Sequence, residues 1–118
     1  MPVLKILTNL TKDKIPNGML PKLITLLAEL VKKDAARITC IISTECSLSM
    51  GGNTDEPAIV STLESIGNLG PDDNKRIIKG LSEFIEKELK VKSDRFLLTF
   101  YDLKAYEVGK SGTTADTW

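Results

Sequence analysis

A strand–helix–strand pattern occurs twice in this chain, and no other feature narrows the fold as much. Val3 to Thr8 reads as a short strand. The Pro16-Asn17-Gly18 turn then opens a helix to about residue 33, with Leu20, Leu23, Ile24, Leu27, Leu30 and Val31 on one stripe at helical spacing. Pro21 falls in its first turn, where a missing N–H costs little. Residues 37–43 read as a second strand. The unit then recurs: a strand over 58–63, a loop over 67–70, and a helix starting at Pro71-Asp72-Asp73 with the stripe Ile77, Ile78, Leu81, Phe84, Ile85 and Leu89. Asp72 and Asp73 lie at its positive end and Lys87 and Lys90 near its negative end, as the helix dipole favours. Residues 95–101 form the fourth strand.

Tandem βαβ units of this kind predict an α+β, two-layer fold occupying residues 1–118 as one domain. Its four-stranded sheet carries both helices on one face if a pseudo-twofold axis relates the two units. The other face then matters. Ile41 on the second strand, Val60 on the third, and Leu97 and Tyr101 on the fourth point away from the residues that would meet the helices. A second apolar face that two helices cannot reach predicts a partner subunit. The last segment, residues 108–118, reads either as an edge strand added to a neighbouring sheet or as a frayed tail.

Composition removes several classes of function. Sixteen basic residues balance sixteen acidic ones, so no electrostatic footprint for nucleic acid or an anionic membrane is expected. No run approaches the ~18–20 apolar residues needed to span a bilayer, and residues 1–10 lack the apolar core of a secretory signal. The chain has no histidine. Ser-His triads and His-ligated metal sites are thereby excluded, and no metal or cofactor is expected. The two cysteines, Cys40 and Cys46, have neither metal nor redox spacing. Cys40 reads as a small buried hydrophobe, Cys46 as a surface thiol in the following loop, and the compartment as reducing.

One residue points toward chemistry. Pro2 follows the initiator methionine, and cellular processing often removes Met1 when the next residue is small. Pro2 would then carry a free secondary amine. An α-amino group titrates near pH 8, so a site that disfavours its charged form makes it a general base in a protein without histidine.

An ordered set of motifs goes with it: Pro2 before a strand, Thr8-Asn9-Leu10 closing it, Ser65-Ile66-Gly67 after the third strand, Asp73-Asn74-Lys75 in the second helix, and Tyr101-Asp102 ending the fourth. Together they resemble the macrophage migration inhibitory factor family over essentially the whole chain, with one extra residue around Asp55. Val108-Gly109-Lys110-Ser111-Gly112-Thr113 is more similar to the D-dopachrome tautomerase branch; the better-known branch has tryptophan where Lys110 stands. The resemblance implies a homotrimer whose three sheets enclose a central channel, with the helices outside. It implies keto–enol tautomerisation of small aromatic α-keto acids such as phenylpyruvate, or tautomerisation of D-dopachrome with decarboxylation. It also implies a cytoplasmic protein exported without a leader, acting outside cells as a cytokine-like ligand of a cell-surface receptor.

By that resemblance Pro2 is the catalytic base, Lys33 holds the substrate carboxylate and lowers the Pro2 pKa, and Ile66 presents a backbone N–H to the substrate. Leu97, Thr99, Val108 and Lys110 line the binding pocket. From the residues alone, Lys33 is a solvated lysine answering a helix dipole, and Lys110 is equally a solvated loop lysine. Leu97 and Thr99 stand where the factor branch often has tyrosine and asparagine. With Lys110, they imply a pocket that has lost an aromatic wall and gained a positive charge, suited to a second carboxylate and weak with phenylpyruvate. The Cys-x-x-Cys of some members is absent, since Ala58-Ile59-Val60-Ser61 occupies that region, and thiol–disulfide chemistry through it is not expected. Two other readings remain: a signalling ligand with a vestigial pocket, and a scaffold oligomer with neither role.

Overall fold

A computed structural model describes all 118 residues. The first unit is β1 (Val3–Thr8), α1 (Met19–Val31) and β2 (Thr39–Ser43); the second is β3 (Ile59–Ser65), α2 (Pro71–Leu89) and β4 (Phe96–Asp102). A short hairpin, β5 (Gly109–Lys110) and β6 (Thr113–Thr114), follows. The sheet order is β2-β1-β3-β4. Each unit pairs its own strands in parallel, while β1 and β3 run antiparallel at the centre with Lys5 opposite Thr62 and Ile6 opposite Ser61. An antiparallel central pair is what a twofold relation between the units requires, and it leaves both right-handed crossovers on one face.

Alternation along the strands sorts the side chains. Leu4, Ile6, Ile59, Leu63 and Phe96 point to the helices and are buried with Leu23, Leu27, Val31, Ile77, Leu81 and Ile85. Each such side chain contributes about 1.5–3 kcal/mol of transfer free energy. Polar residues caught on this face are satisfied locally: Thr8 Oγ1 donates to the Ala58 carbonyl at 2.8 Å and Ser61 Oγ to the Leu97 carbonyl at 2.8 Å. The helices lie side by side, closely enough at Gly80 that a Cβ there would stand 2.9 Å from a Leu30 methyl.

On the opposite face Leu7, Ile41, Leu97 and Tyr101 are 47–54% exposed. Between them lie Thr62, Thr99 and an ion pair of Lys5 with Glu64 at 3.7 Å. The uncovered face is therefore more mixed than the apolar positions alone imply.

Several boundaries differ from the sequence reading. Residues 35–37 form a 3-10 turn, because the Asp34 carboxylate accepts the Ala36 N–H at 3.0 Å, and the second strand starts only at Thr39. The third strand runs to Ser65. The fourth starts at Phe96, after a 3-10 turn over Ser93–Arg95. Arg95 is buried: its guanidinium donates to the carbonyls of Met50, Asn53, Glu56 and Pro57 at 3.0–3.1 Å and holds the β2–β3 loop. On α1, Met19 is buried and Leu20 exposed, since the helix starts one residue past left-handed Gly18 and turns Met19 inward. Cys40 is half-buried rather than fully buried, on edge strand β2. The C-terminal segment is neither a frayed tail nor a single extended strand. It folds on itself through Ser111 and Gly112, both at positive φ (57° and 80°), as a two-residue type I′ turn requires.

Candidate active site at the start of the chain

The site begins where α1 stops. Lys32 takes the left-handed conformation, and the Lys33 N–H donates back to the Ala28 carbonyl at 3.1 Å, so the chain reverses directly after the helix. The exposed helix-end carbonyls are answered from the second unit. Asn68 Nδ2 donates to Val31 at 2.9 Å, and Arg76 donates to Leu30 at 2.6 Å. These contacts bring the loop after β3 against the turn after α1. Lys33 Nζ reaches across and donates to the Ile66 carbonyl at 2.8 Å. The Ile66 loop is itself fixed, with the Gly67 N–H on Asp102 Oδ1 at 3.0 Å and the Leu103 N–H on the Ser65 carbonyl at 2.8 Å.

The first residues arrive at this point along β1. Pro2 is buried, and its carbonyl accepts the Thr39 N–H at 3.0 Å, which extends the parallel β1–β2 pairing by one step. Met1 lies beyond it in a pocket of about 490 Å³ shared with Lys33, Arg37, Ile66, Lys110 and Trp118. The Met1 α-amine is held below its ordinary value, first by burial, then by the positive charges of Lys33 and Arg37. No Asp or Glu side chain lines the pocket. Two more open depressions, of about 640 and about 910 Å³, contain none of the expected site residues.

Of the residues singled out from sequence, Lys33, Ile66 and Lys110 meet in this pocket, and Pro2 lies one peptide unit behind its wall residue Met1. Val108 is half-buried and does not line it. Its carbonyl accepts the Ala115 N–H at 2.9 Å, at the base of the hairpin that carries Lys110. Leu97 and Thr99 lie elsewhere, on the exposed face of edge strand β4. Strand alternation places them opposite Phe96 and Leu98, which pack on the core.

Among the pocket residues that escaped the sequence reading, two bear on its chemistry. Arg37 is brought in by the 3-10 turn and by the pairing of Val3 with Thr39; its i+4 spacing from Lys33 was the available signal. Trp118, at the end of the chain, returns across the hairpin so that Lys110 Nζ stands 5.7 Å from its ring centroid. An aromatic wall is therefore present, supplied by Trp118, where the exchange at Lys110 had implied its loss.

Two βαβ units related by a twofold, with the first two residues packed beside a lysine, define a small α+β protein whose pocket is built around the start of its own chain. The macrophage migration inhibitory factor (MIF) family profile matches residues 1–116. A macrophage migration inhibitory factor from Xenopus laevis is 37% identical over 114 residues, covering 97% of this chain and 98% of that protein. The MIF-like protein mif-2 of Caenorhabditis elegans is 36% identical over 97% of this chain and 94% of its own length. The solved structure of the factor from Trichinella spiralis superposes with a TM-score of 0.91 at 28% identity, over 95% of this chain and 98% of that one. The chain belongs to the macrophage migration inhibitory factor family, which lies within the tautomerase superfamily.

Proposed function

We propose that the protein, once Met1 is removed, is a keto–enol tautomerase of aromatic α-keto acids or of the D-dopachrome type, with Pro2 as general base. The observation that carries this reading is the field at the chain start. An amine there is disfavoured as a cation by burial and by Lys33 and Arg37, and Pro2 is buried one residue further in. In the forward step the Pro2 nitrogen takes a proton from the carbon beside the ketone. The C–H electron pair becomes the C=C bond, and the carbonyl oxygen becomes an enolate that is protonated to the enol. Lys33, held at Ile66, binds the substrate carboxylate, and the Ile66 N–H faces the substrate. While Met1 remains, the Pro2 nitrogen is an amide and accepts no proton.

Leu97 and Thr99 belong to this site only if another copy supplies them. Their exposure on the uncovered sheet face, beside Leu7, Ile41 and Tyr101, fits a homotrimer in which one chain's β4 borders the next chain's pocket. Membership of the family supports a further part of the proposal, a protein held in the cytoplasm that also acts outside cells as a cytokine-like ligand of a cell-surface receptor. A second reading, a signalling ligand with weak turnover, is favoured by Leu97 and Thr99, which offer no phenol or amide to a substrate.

Turnover of phenylpyruvate and D-dopachrome methyl ester by Met1-free protein and its Pro2→Gly variant tests the mechanism. Loss of most turnover, ~10²-fold or more, with the oligomer intact is expected. A Pro2→Gly variant that works as well as its parent refutes Pro2 as base.

A further inference from the structure

The pocket holds more positive charge than a simple α-keto acid uses. One carboxylate needs one cation, yet Lys33, Arg37 and Lys110 all line this wall and no Asp or Glu does. None of the three takes part in any of the four ion pairs of the fold. The chain as a whole is balanced at sixteen charges of each sign, so the cluster is a local arrangement rather than a basic composition. Three separate segments build it: the reversal after α1, the 3-10 turn before β2, and the C-terminal hairpin. Their charges differ in availability. Lys33 Nζ is tied to the Ile66 carbonyl, whereas Arg37 and Lys110 are exposed and have no carboxylate partner. Lys110 stands over the Trp118 ring, so an anion reaching it would carry its own apolar body along that aromatic surface.

We propose that Arg37 and Lys110 form a second anion-binding pole, and that the pocket takes aromatic keto acids carrying two carboxylates. The α-carboxylate lies at Lys33 as in the tautomerase reading, on which this assignment of substrate class rests. The second carboxylate, on the far part of the molecule, takes charge-assisted hydrogen bonds from the Arg37 guanidinium and the Lys110 ammonium. The ring between them lies against Trp118.

Binding is measured separately from turnover. Calorimetry on Met1-free protein at low salt compares benzoate with benzene-1,3-dicarboxylate, in the parent, in R37Q/K110Q and in a control, Lys79→Gln, on the exposed side of α2. The dicarboxylate should bind the parent and the control about tenfold or more tightly than benzoate. In R37Q/K110Q that preference should fall to within about threefold, and it should narrow in the parent as salt rises. Both replaced side chains are exposed, so the double variant is expected to fold. A parent preference below about threefold, a preference that survives R37Q/K110Q, or no detectable dicarboxylate binding overturns the proposal. Tight, variant-sensitive dicarboxylate binding in a protein that turns over no keto acid would uphold the second pole and defeat the tautomerase reading.

Discussion

At the scale of single residues, the site depends on how positive charge and burial act on one amine. Lys33 is the larger of the two electrostatic influences on the chain start, ahead of Arg37, with burial ahead of both. Removing a nearby cation makes protonation of the amine easier and raises its pKa. In the proposed mechanism the Pro2 amine takes the place of the Met1 amine after processing and is active only when unprotonated. With the same two cations acting on it, the ascending limb of kcat/KM against pH should move to higher pH in Lys33→Ala, and less far in Arg37→Gln. Lys33→Ala should also raise KM, and pH–rate profiles on processed protein measure both. Burial also governs one of the cysteines. Burial pushes the Cys40 thiol up to about 11, which leaves almost no thiolate at neutral pH. A thiol reagent at pH 8 should therefore label Cys46 first, as mass spectrometry of partly labelled peptides would show; faster labelling of Cys40 would contradict its placement. Arg95 contributes to stability rather than to the site. Arg95→Ala strands four loop carbonyls and should cost about 3 kcal/mol in denaturant unfolding, with little change in keto-acid turnover per folded molecule.

At the scale of elements, much of the fold is legible in the sequence because each pattern has one physical cause. The second helix was readable throughout: Pro71 sits at its first position, Asp72 and Asp73 in its first turn, and the stripe from Ile77 to Leu89 repeats every third or fourth residue. The first helix was readable in extent but not in rotation. Leu20 and Met19 are both apolar, and only the left-handed Gly18 decides which of them turns inward. The C-terminal hairpin was missed because its strands are two residues long and its turn is Ser-Gly, a weaker signal than Asn-Gly. It matters because it delivers Lys110 and Trp118 to the pocket. Gly112 has φ +80°, a conformation a β-branched residue resists. Gly112→Val should therefore leave the melting transition of the α/β body nearly unchanged and still weaken substrate binding, seen as a higher KM. A KM equal to the parent's would mean the hairpin does not shape the pocket.

At the scale of the whole molecule, the site residues divide between what one chain assembles and what it cannot. Pro2, Lys33, Ile66 and Lys110 converge because the first unit's helix-to-strand turn, the second unit's strand-to-helix loop and the C-terminal hairpin all lie near the start of β1. Leu97 and Thr99 stay outside because β4 is an edge strand and its outer face has nothing to pack on. A single sequence gives the alternation that exposes them but not the partner that would use them. The trimer reading makes both facts one: light scattering should give about three times the 13.0 kDa chain mass. Leu97→Glu, placing a charge on that face, should shift the protein toward monomer and lower turnover in parallel, with far-UV circular dichroism unchanged. A fully active monomer would sever the site from any neighbour.

The most direct test follows the nitrogen itself. Protein labelled with ¹⁵N-proline and freed of Met1 can be titrated by NMR while kcat/KM for an aromatic keto acid is recorded over the same pH range. The account predicts that the Pro2 nitrogen titrates with a midpoint below the ordinary α-amine value of about 8 and that the rate rises with the same midpoint. A Pro2 nitrogen that titrates at or above that value, or a rate that rises without following it, would contradict the account.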